Sequence, residues 1–144
     1  MDRKTMEKKR IVSFDLDMTL LDHGTWQIPE SAKKALELLR RDSVIVIATG
    51  RNMDHPLSVE YRDMVRPDAV IHMNGARVVA EGEVLYEHLM DKGLLGDLLT
   101  YAGENGLALG ISLADGDYFT NPQVVDEWDM KRWGECGRQF KDAK

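Results

Sequence analysis

The chain has 144 residues, of which 43% are hydrophobic and 31% are charged, and its formal net charge at pH 7 is -6. This length and composition indicate one globular domain, or one domain and part of a second, and the acidic balance argues against a nucleic-acid partner. The single cysteine, Cys136, excludes an internal disulfide, and no apolar run approaches the ~20 residues that span a bilayer. We therefore predict a cytoplasmic protein without a membrane segment.

The first predicted element is a short strand that leads into a cluster of polar side chains. The apolar run Ile11 to Phe14 is typical of a buried strand, and Asp15 and Asp17 follow it with one residue between them. Alternate side chains of an extended chain project from the same side, so a strand that continued to Asp17 would bring the two carboxylates together. Two negative charges that close disfavour each other unless a cation lies between them or one of them is protonated. The pair therefore predicts a Mg²⁺ site.

Three alternatives to a Mg²⁺ site fit the residues around these two carboxylates less well. A simple acidic turn would explain the two carboxylates, since Asp is a common turn residue. It does not explain why the apolar run leads straight into the pair. An EF-hand calcium loop needs Gly at its sixth position and Glu at its twelfth; counting from Asp15, these positions hold Leu20 and Trp26, which excludes that loop. A glycosyltransferase Asp-x-Asp motif follows a nucleotide-binding unit, and only 14 residues precede Asp15.

A helix that begins near Pro29 is followed by the clearest strand of the chain, Ser43 to Ala48. The strand has no polar alternation, as expected when both faces are covered. A strand, a helix and a second strand joined in this way form a βαβ unit with parallel strands. Ligands bind outside the carboxyl ends of such strands, so Thr49, which ends the second strand, is expected at the same sheet edge as Asp15.

The remaining elements alternate between strands and helices. His72 belongs to a third short strand, and we interpret it as a core histidine and not as a general base, because it comes before the loop that follows this strand. Turns with Gly after an acidic residue indicate two hairpins, and apolar patterning, weak in the first case, indicates three helices. The predicted elements are a helix over 54–64, a strand over 69–72, a hairpin around Glu81-Gly82, a helix over 91–104, a hairpin around Asp115-Gly116 and a helix over 124–133.

Two motifs and a third short segment resemble a known family. Asp15-Leu16-Asp17-Met18-Thr19 is similar to the first motif, Asp-x-Asp-x-Thr/Ser, of the haloacid dehalogenase-like hydrolases, although the phosphatases usually have Gly at the position of Met18. Ala48-Thr49-Gly50-Arg51 resembles the second motif of the Cof-type branch, whose members are mainly sugar-phosphate phosphatases. Asn74-Gly75-Ala76 stands where that branch carries Asn-Gly-Ala. The resemblance implies an α/β fold: a Rossmannoid three-layer core with a parallel sheet over residues 1–85, then the start of an inserted α+β cap over 86–144.

The resemblance also implies a reaction and a set of roles. The expected activity is Mg²⁺-dependent hydrolysis of small phosphorylated metabolites such as sugar phosphates. Asp15 is the expected nucleophile, which becomes an aspartyl phosphate, and Asp17 the expected general acid and then general base. Both are also expected at the metal, Asp17 through its backbone carbonyl. The implied phosphate- and substrate-binding residues are Leu16 and Gly50 through their amides, Thr49 through its hydroxyl, Arg51 near the substrate entrance, and Asn74.

The likeness covers all 144 residues but stops before two later motifs of the family, a Lys and a Gly-Asp-x-x-Asn-Asp segment, so we expect only its amino-terminal part here. One alternative is a capless phosphatase that uses Lys92 and Asp117 in their place. We favour the cap interpretation, because the residues before Gly116 are typical of a hairpin turn. A further alternative is a non-catalytic relative that binds Mg²⁺ or phosphate without turnover.

The family's sheet has a consequence for the first strand. There it lies between the second-motif strand and a strand from the later part of the family. Ile11 to Phe14 is then left with an unpaired side, unless Leu107 to Leu113 fills it. Unpaired strand edges invite pairing with another chain. We therefore predict either self-association through Ile11 to Phe14 or membership of a longer product.

Overall fold

The computed structural model describes residues 10–113 and 116–133. The expectations for Cys136 and for the turn at Asp115 lie outside these ranges. The described residues form two compact units, one made of 10–53 with 58–88 and the other of 54–57 with 89–113 and 116–133. Within these ranges no helix has both the length and the apolar character that crossing a membrane requires.

The first unit is built on a five-stranded sheet. Its strands, in both spatial and chain order, are β1 (Arg10–Phe14), β2 (Ser43–Ala48), β3 (Ala69–His72), β4 (Arg77–Ala80) and β5 (Glu83–Glu87). The first three are parallel and the last two are antiparallel additions. The helices α1 (Glu30–Leu39) and α2 (Pro56–Val65) form the crossovers between the parallel strands. The predicted βαβ unit, the first hairpin and the α/β fold are therefore confirmed.

The core of this unit lies around β2. Ile45 and Ile47 are fully buried and pack with Leu36 of α1, Val65 of α2 and Val70 of β3. An unbroken apolar strand is what burial on both faces requires, because every side chain then points into the core. The burial expected for this strand is confirmed.

The first strand differs from its expectation. β1 pairs only with β2 among the described strands, and its residues are exposed or half-buried, with Ile11 72% exposed. The expectation of a buried strand at Ile11 to Phe14 was therefore wrong, because an apolar run is buried only when neighbours cover it. The strand β6 (Gly110–Leu113) does not fill the edge, since it pairs with β7 (Gly116–Phe119) in a separate two-stranded sheet.

The second unit contains that hairpin and two helices, α3 (Lys92–Glu104) and α4 (Pro122–Trp133). The α3 helix begins at Asp91, whose Oδ1 accepts the amides of Gly93 and Leu94 at 2.8 and 3.0 Å. A side chain that satisfies the first amides of a helix fixes its start. Asp117 lies within β7, where its Oδ1 accepts a hydrogen bond from Ser112 at 2.6 Å.

Candidate active site at the carboxyl edge of the parallel sheet

Three loops that follow the parallel strands meet at one edge of the sheet. The loop after β3 is tied to the loop after β2, because the Met73 amide donates to the Arg51 carbonyl at 3.0 Å and the Asn74 amide to the Thr49 carbonyl at 3.3 Å. Arg51 in turn contacts Asp17 in the loop after β1. The structure thus brings Asp17 together with the residues predicted from the second motif and with Asn74.

The chain turns sharply directly after β1. The strand ends at Phe14, and the amides of Thr19, Leu20 and Leu21 converge on the Leu16 carbonyl at 3.3, 3.0 and 2.8 Å. Asp17 is therefore not a continuation of the strand, so the condition under which Asp15 and Asp17 would share one strand face is not met. Three amides on one carbonyl make a compact turn more favourable than two further extended residues.

Asp15 and Leu16 begin this turn. The Asp15 side chain is exposed, and its Oδ1 accepts the Leu16 amide at 2.8 Å. Leu16 itself is fully buried, so its side chain anchors the turn in the core. The buried Leu16 side chain thereby fixes the Asp15 backbone, and the hydrogen bond from the Leu16 amide orients the Asp15 carboxylate at the end of β1.

Met18 has a backbone conformation that favours glycine. Its φ is +57° and its side chain is 75% exposed. The left-handed region costs a residue with a β-carbon about 1–2 kcal/mol. The Met18 side chain thus does not crowd the turn, since it extends into solvent. Its effect on the turn is backbone strain.

Asp17 is the most heavily bonded side chain of the site. Its Oδ2 accepts from Arg51 Nε at 2.7 Å, and its Oδ1 accepts from Arg51 Nη2 at 2.6 Å and contacts His23 Nε2 at 2.7 Å. The Asp17 and Arg51 side chains are 30% and 25% exposed. A two-pronged arginine–carboxylate pair is stronger and better oriented than a single contact.

These contacts favour the ionised form of Asp17. Burial of the carboxyl opposes ionisation, but the hydrogen bonds and positive charge of Arg51, together with the contact to His23, outweigh it and lower the Asp17 pKa below its ordinary value of 3.8. In return, the hydrogen bonds to Asp17 raise the pKa of Arg51 in spite of its own burial. Asp17 as it stands here is set to accept a proton and not to give one.

His23 and Trp26 are site residues that the sequence did not reveal. They lie on a short loop in which the Asp22 amide donates to the Gln27 carbonyl at 3.0 Å and the Trp26 amide to the Asp22 carbonyl at 2.7 Å. The rings of His23 and Trp26 stack with centroids 4.6 Å apart. The only signal in the sequence is a histidine six positions after Asp17, and the spacing gains meaning only once the loop folds back.

The second-motif residues form a compact polar edge. The Thr49 hydroxyl oxygen accepts the Arg51 amide at 3.2 Å, and Thr49 is buried. A β-carbon on Gly50 would lie 3.0 Å from Asn74 Oδ1, so a larger residue at this position would have to displace the Asn74 side chain. Asn74 has φ +56°, a conformation that asparagine tolerates better than most residues. The residue types at Gly50 and Asn74 thus allow the loops after β2 and β3 to pack closely.

His72 lies below this edge, in the core. It is buried, and its Nδ1 accepts the Met53 amide at 3.1 Å. Its interpretation as a core histidine is confirmed.

One carboxylate at this edge of the sheet is available to bind Mg²⁺. Within residues 10–113 and 116–133, no group of three or more His, Cys, Asp or Glu side chains lies close enough to hold a metal ion. Both oxygens of Asp17 already contact Arg51 or His23, whereas Asp15 is exposed at the strand end. Mg²⁺ keeps several waters and is commonly bound through one or two carboxylates, so Asp15 is the side chain that suits it.

The family model of the haloacid dehalogenase-like hydrolases matches residues 12–141. The chain belongs to this family. It is also 33% identical, over 97 residues, to the Bacillus subtilis protein YkrA, named as a provisional phosphatase; the match covers 66% of this chain and 36% of YkrA.

Solved structures give the same fold. A hypothetical protein of Geobacillus kaustophilus superposes with a TM-score of 0.73 at 30% identity, over 86% of this chain and 49% of that one. The subclass IIB sugar phosphatase BT4131 superposes with a TM-score of 0.74 at 23% identity, over 95% of this chain and 53% of that one. The chain thus spans about a third of YkrA and about half of these structures.

Proposed function

We propose that this chain carries the nucleophile half of a Mg²⁺-dependent phosphatase that hydrolyses phosphate monoesters through an aspartyl phosphate. The observation that carries the proposal is the pairing of Asp17 with Arg51, which joins the first motif to the second at the carboxyl edge of the sheet. Membership of a hydrolase family supports the reaction class.

In the first step, an oxygen of the exposed Asp15 carboxylate attacks phosphorus. The phosphorus–ester oxygen bond breaks, and Asp17 gives its proton to the departing alcohol oxygen. In the second step, Asp17 takes a proton from a water that attacks the same phosphorus, and the Asp15–phosphorus bond breaks to release inorganic phosphate. One carboxylate thus acts as nucleophile and the other transfers the proton in both directions.

The contacts of Asp17 add a condition to this scheme. Arg51 and His23 favour its ionised form, which suits the second step but not the first. Asp17 serves as an acid only after its pair with Arg51 has loosened. Arginine also binds phosphate well, so we expect the phosphate group of the substrate to compete with Asp17 for Arg51 and to loosen the pair.

The loops after β1 and β2 supply the phosphate-binding groups of the proposal. The Thr49 hydroxyl and the Gly50 and Leu16 amides hold phosphoryl oxygens, and Asn74 supports Gly50 from the neighbouring loop. Backbone and hydroxyl donors held in place are effective for a charge that develops on phosphoryl oxygens.

A magnesium ion would be held by the Asp15 carboxylate and the Asp17 backbone carbonyl. It would offset the negative charge of the phosphate, which otherwise meets an acidic chain.

We assign the substrate to the small phosphorylated metabolites, with sugar phosphates as the first class to test. The similarity to a sugar phosphatase supports this choice. The composition with one cysteine supports a cytoplasmic location. The second described unit is proposed as the start of the substrate-covering cap, with the core over 1–85 and the cap over 86–144.

The capless alternative draws less support from the second unit. It needs Asp117 in a loop that follows a strand, and Asp117 instead lies inside β7, bonded to Ser112 on the facing strand. The cap assignment therefore remains the preferred one.

The test is a phosphatase assay of the chain with a panel of sugar phosphates and Mg²⁺, with Asp15→Asn as the matched control. Release of inorganic phosphate by the wild type and none by Asp15→Asn supports the enzyme. Equal background from both proteins would exclude the enzyme and leave the alternative, a relative that binds Mg²⁺ or phosphate without turnover.

We also propose that β1 is a contact edge. It has one partner strand among the described residues, and its apolar side chains are accessible. Backbone groups left unpaired on such an edge favour addition of another strand. A second copy of this chain is the proposed occupant when the chain is alone in solution.

A further inference from the structure

His23 is a partner of Asp17 that lies outside the second-motif loop, which carries Arg51. Of the two side chains that contact the Asp17 carboxylate within the described residues, Arg51 belongs to the loop after β2, whereas His23 belongs to the loop after β1. This difference matters because phosphate would compete with Asp17 for the hydrogen bonds of Arg51. Carboxylates and phosphates use the same fork of guanidinium N–H groups.

The direction of the His23 contact follows from the state of Asp17. An ionised carboxylate only accepts hydrogen bonds. Since Arg51 donates two hydrogen bonds to the Asp17 carboxylate, its oxygens act as acceptors, and His23 Nε2 at 2.7 Å from Oδ1 is the expected donor.

The loop around His23 is built to hold that ring in place. Trp26 stacks on the imidazole at 4.6 Å with an angle of 22° between the rings. The Trp26 carbonyl accepts the Tyr61 hydroxyl at 3.3 Å, which fastens the loop to α2. The Asp22 carboxylate accepts the Gly24 amide at 2.7 Å, which fixes the turn itself. The His23 side chain is only 16% exposed, so its ring has little space in which to rotate.

We propose that His23, seated on Trp26, is a positioning residue for Asp17: its Nε2–H keeps the Asp17 carboxylate oriented when a phosphate group draws Arg51 away. The inference rests on the proposed function in one respect, that Arg51 binds the phosphate. Without His23, the Asp17 carboxylate keeps Arg51 as its one cationic contact among the described residues. The Asp17 carboxylate then holds Arg51 more strongly, so phosphate competes for Arg51 less well.

The test is calorimetric titration of the whole chain with inorganic phosphate in the presence of Mg²⁺. His23→Leu is expected to weaken phosphate binding by about fivefold, the equivalent of one lost hydrogen bond. His23→Gln places an amide donor near the position of Nε2 and is expected to restore most of the affinity. In an Arg51→Gln background, His23→Leu is expected to change phosphate affinity no further, because the competition is gone.

A merely structural role for His23 gives a different pattern. If His23→Leu weakens phosphate binding equally in the wild-type and the Arg51→Gln backgrounds, the proposal is wrong. It is equally wrong if His23→Leu binds phosphate as well as the wild type, or if the wild-type chain binds none.

A second measurement uses the unaltered protein. Nitrogen-15 spectra of the imidazole are expected to show His23 with hydrogen on Nε2, both before and after saturation with inorganic phosphate, while the Arg51 Nε–H signal moves on saturation. Hydrogen on Nδ1 alone would overturn the proposal. These outcomes are separate from turnover: a chain that shows the His23 pattern but releases no phosphate would contradict the phosphatase and leave the positioning role intact.

Discussion

The neighbouring strands β1 and β2 have similar sequences but different surroundings. Both are short apolar runs, both end at site residues, and they pair in register from Arg10 with Ser43 to Phe14 with Ile47. Yet β2 has a strand on each side and is mostly buried, whereas β1 has one partner among the described strands and is largely accessible. The apolar pattern therefore specifies a strand, while its place in the sheet decides what the strand contributes.

The strongest consequence of this contrast concerns the open edge. If β1 recruits a second copy, light scattering after size-exclusion chromatography should give about twice the mass of the chain. Ile11→Lys places a charge on the edge and should restore the monomer, because charged side chains protect natural edges. Leu38→Lys, at an exposed apolar position of α1, is the matched control and should leave the mass unchanged. A wild-type monomer whose Ile11 to Phe14 amides resist exchange would contradict the proposal.

The next effect compares burial directly. Ile47→Ala in β2 should lower the free energy of unfolding by about 2–5 kcal/mol, because it leaves a cavity in the core. Ile11→Ala in β1 should lower it by about 0.5 kcal/mol or less, since this side chain is already mostly in water. Urea unfolding measures both, at a concentration where the chain is monomeric. Similar losses for the two substitutions would show that β1 is covered in solution.

The loops after the two strands should respond to glycine in opposite ways. Met18→Gly should raise the free energy of unfolding by about 1 kcal/mol, because it removes the cost of a left-handed backbone. Gly50→Ala should lower it, because the new methyl group meets Asn74 Oδ1. Thermal unfolding of the two variants beside the wild type checks the signs. A destabilised Met18→Gly variant would mean that the methionine side chain packs on a surface in solution.

The weakest of these effects is the link between the loops. The pKa of Asp17 is lowered in the folded chain, so its pair with Arg51 adds stability above the ordinary pKa of 3.8, and this contribution is lost as the pH falls through the lowered value. At neutral pH the pair should contribute about 1 kcal/mol or less, since both side chains are partly exposed.

Arg51→Gln provides the measurement for this pair. The difference in urea midpoint between wild type and variant should be constant near neutral pH and shrink between about pH 5 and pH 2. Arg62→Gln is a suitable control, because Arg62 is a partly exposed arginine on α2. A difference that does not change with pH would show that Arg51 stabilises the chain by packing, for example over the Tyr61 ring, 5.7 Å away.

Local sequence was enough to specify most of the helices and strands and the loops that carry the proposed site residues. The continuous apolar run of β2 can only be accommodated in a core, and the βαβ order forces β1 and β2 to be parallel, so the polar residues that follow them had to reach one edge. That reasoning placed Asp15, Asp17 and Thr49 at the correct edge of the sheet, because it depends only on local periodicity and the handedness of the crossover.

The contacts within that edge depend on the folded chain. The bend at Leu16 turned Asp17 out of the strand, and the fold-back of the loop at Asp22 brought His23 onto Asp17. Neither follows from spacing, since each depends on hydrogen bonds between backbone groups whose positions the sequence does not state. The exposure of β1 has the same origin, because burial is a property of the neighbours that a strand acquires and not of its own residues.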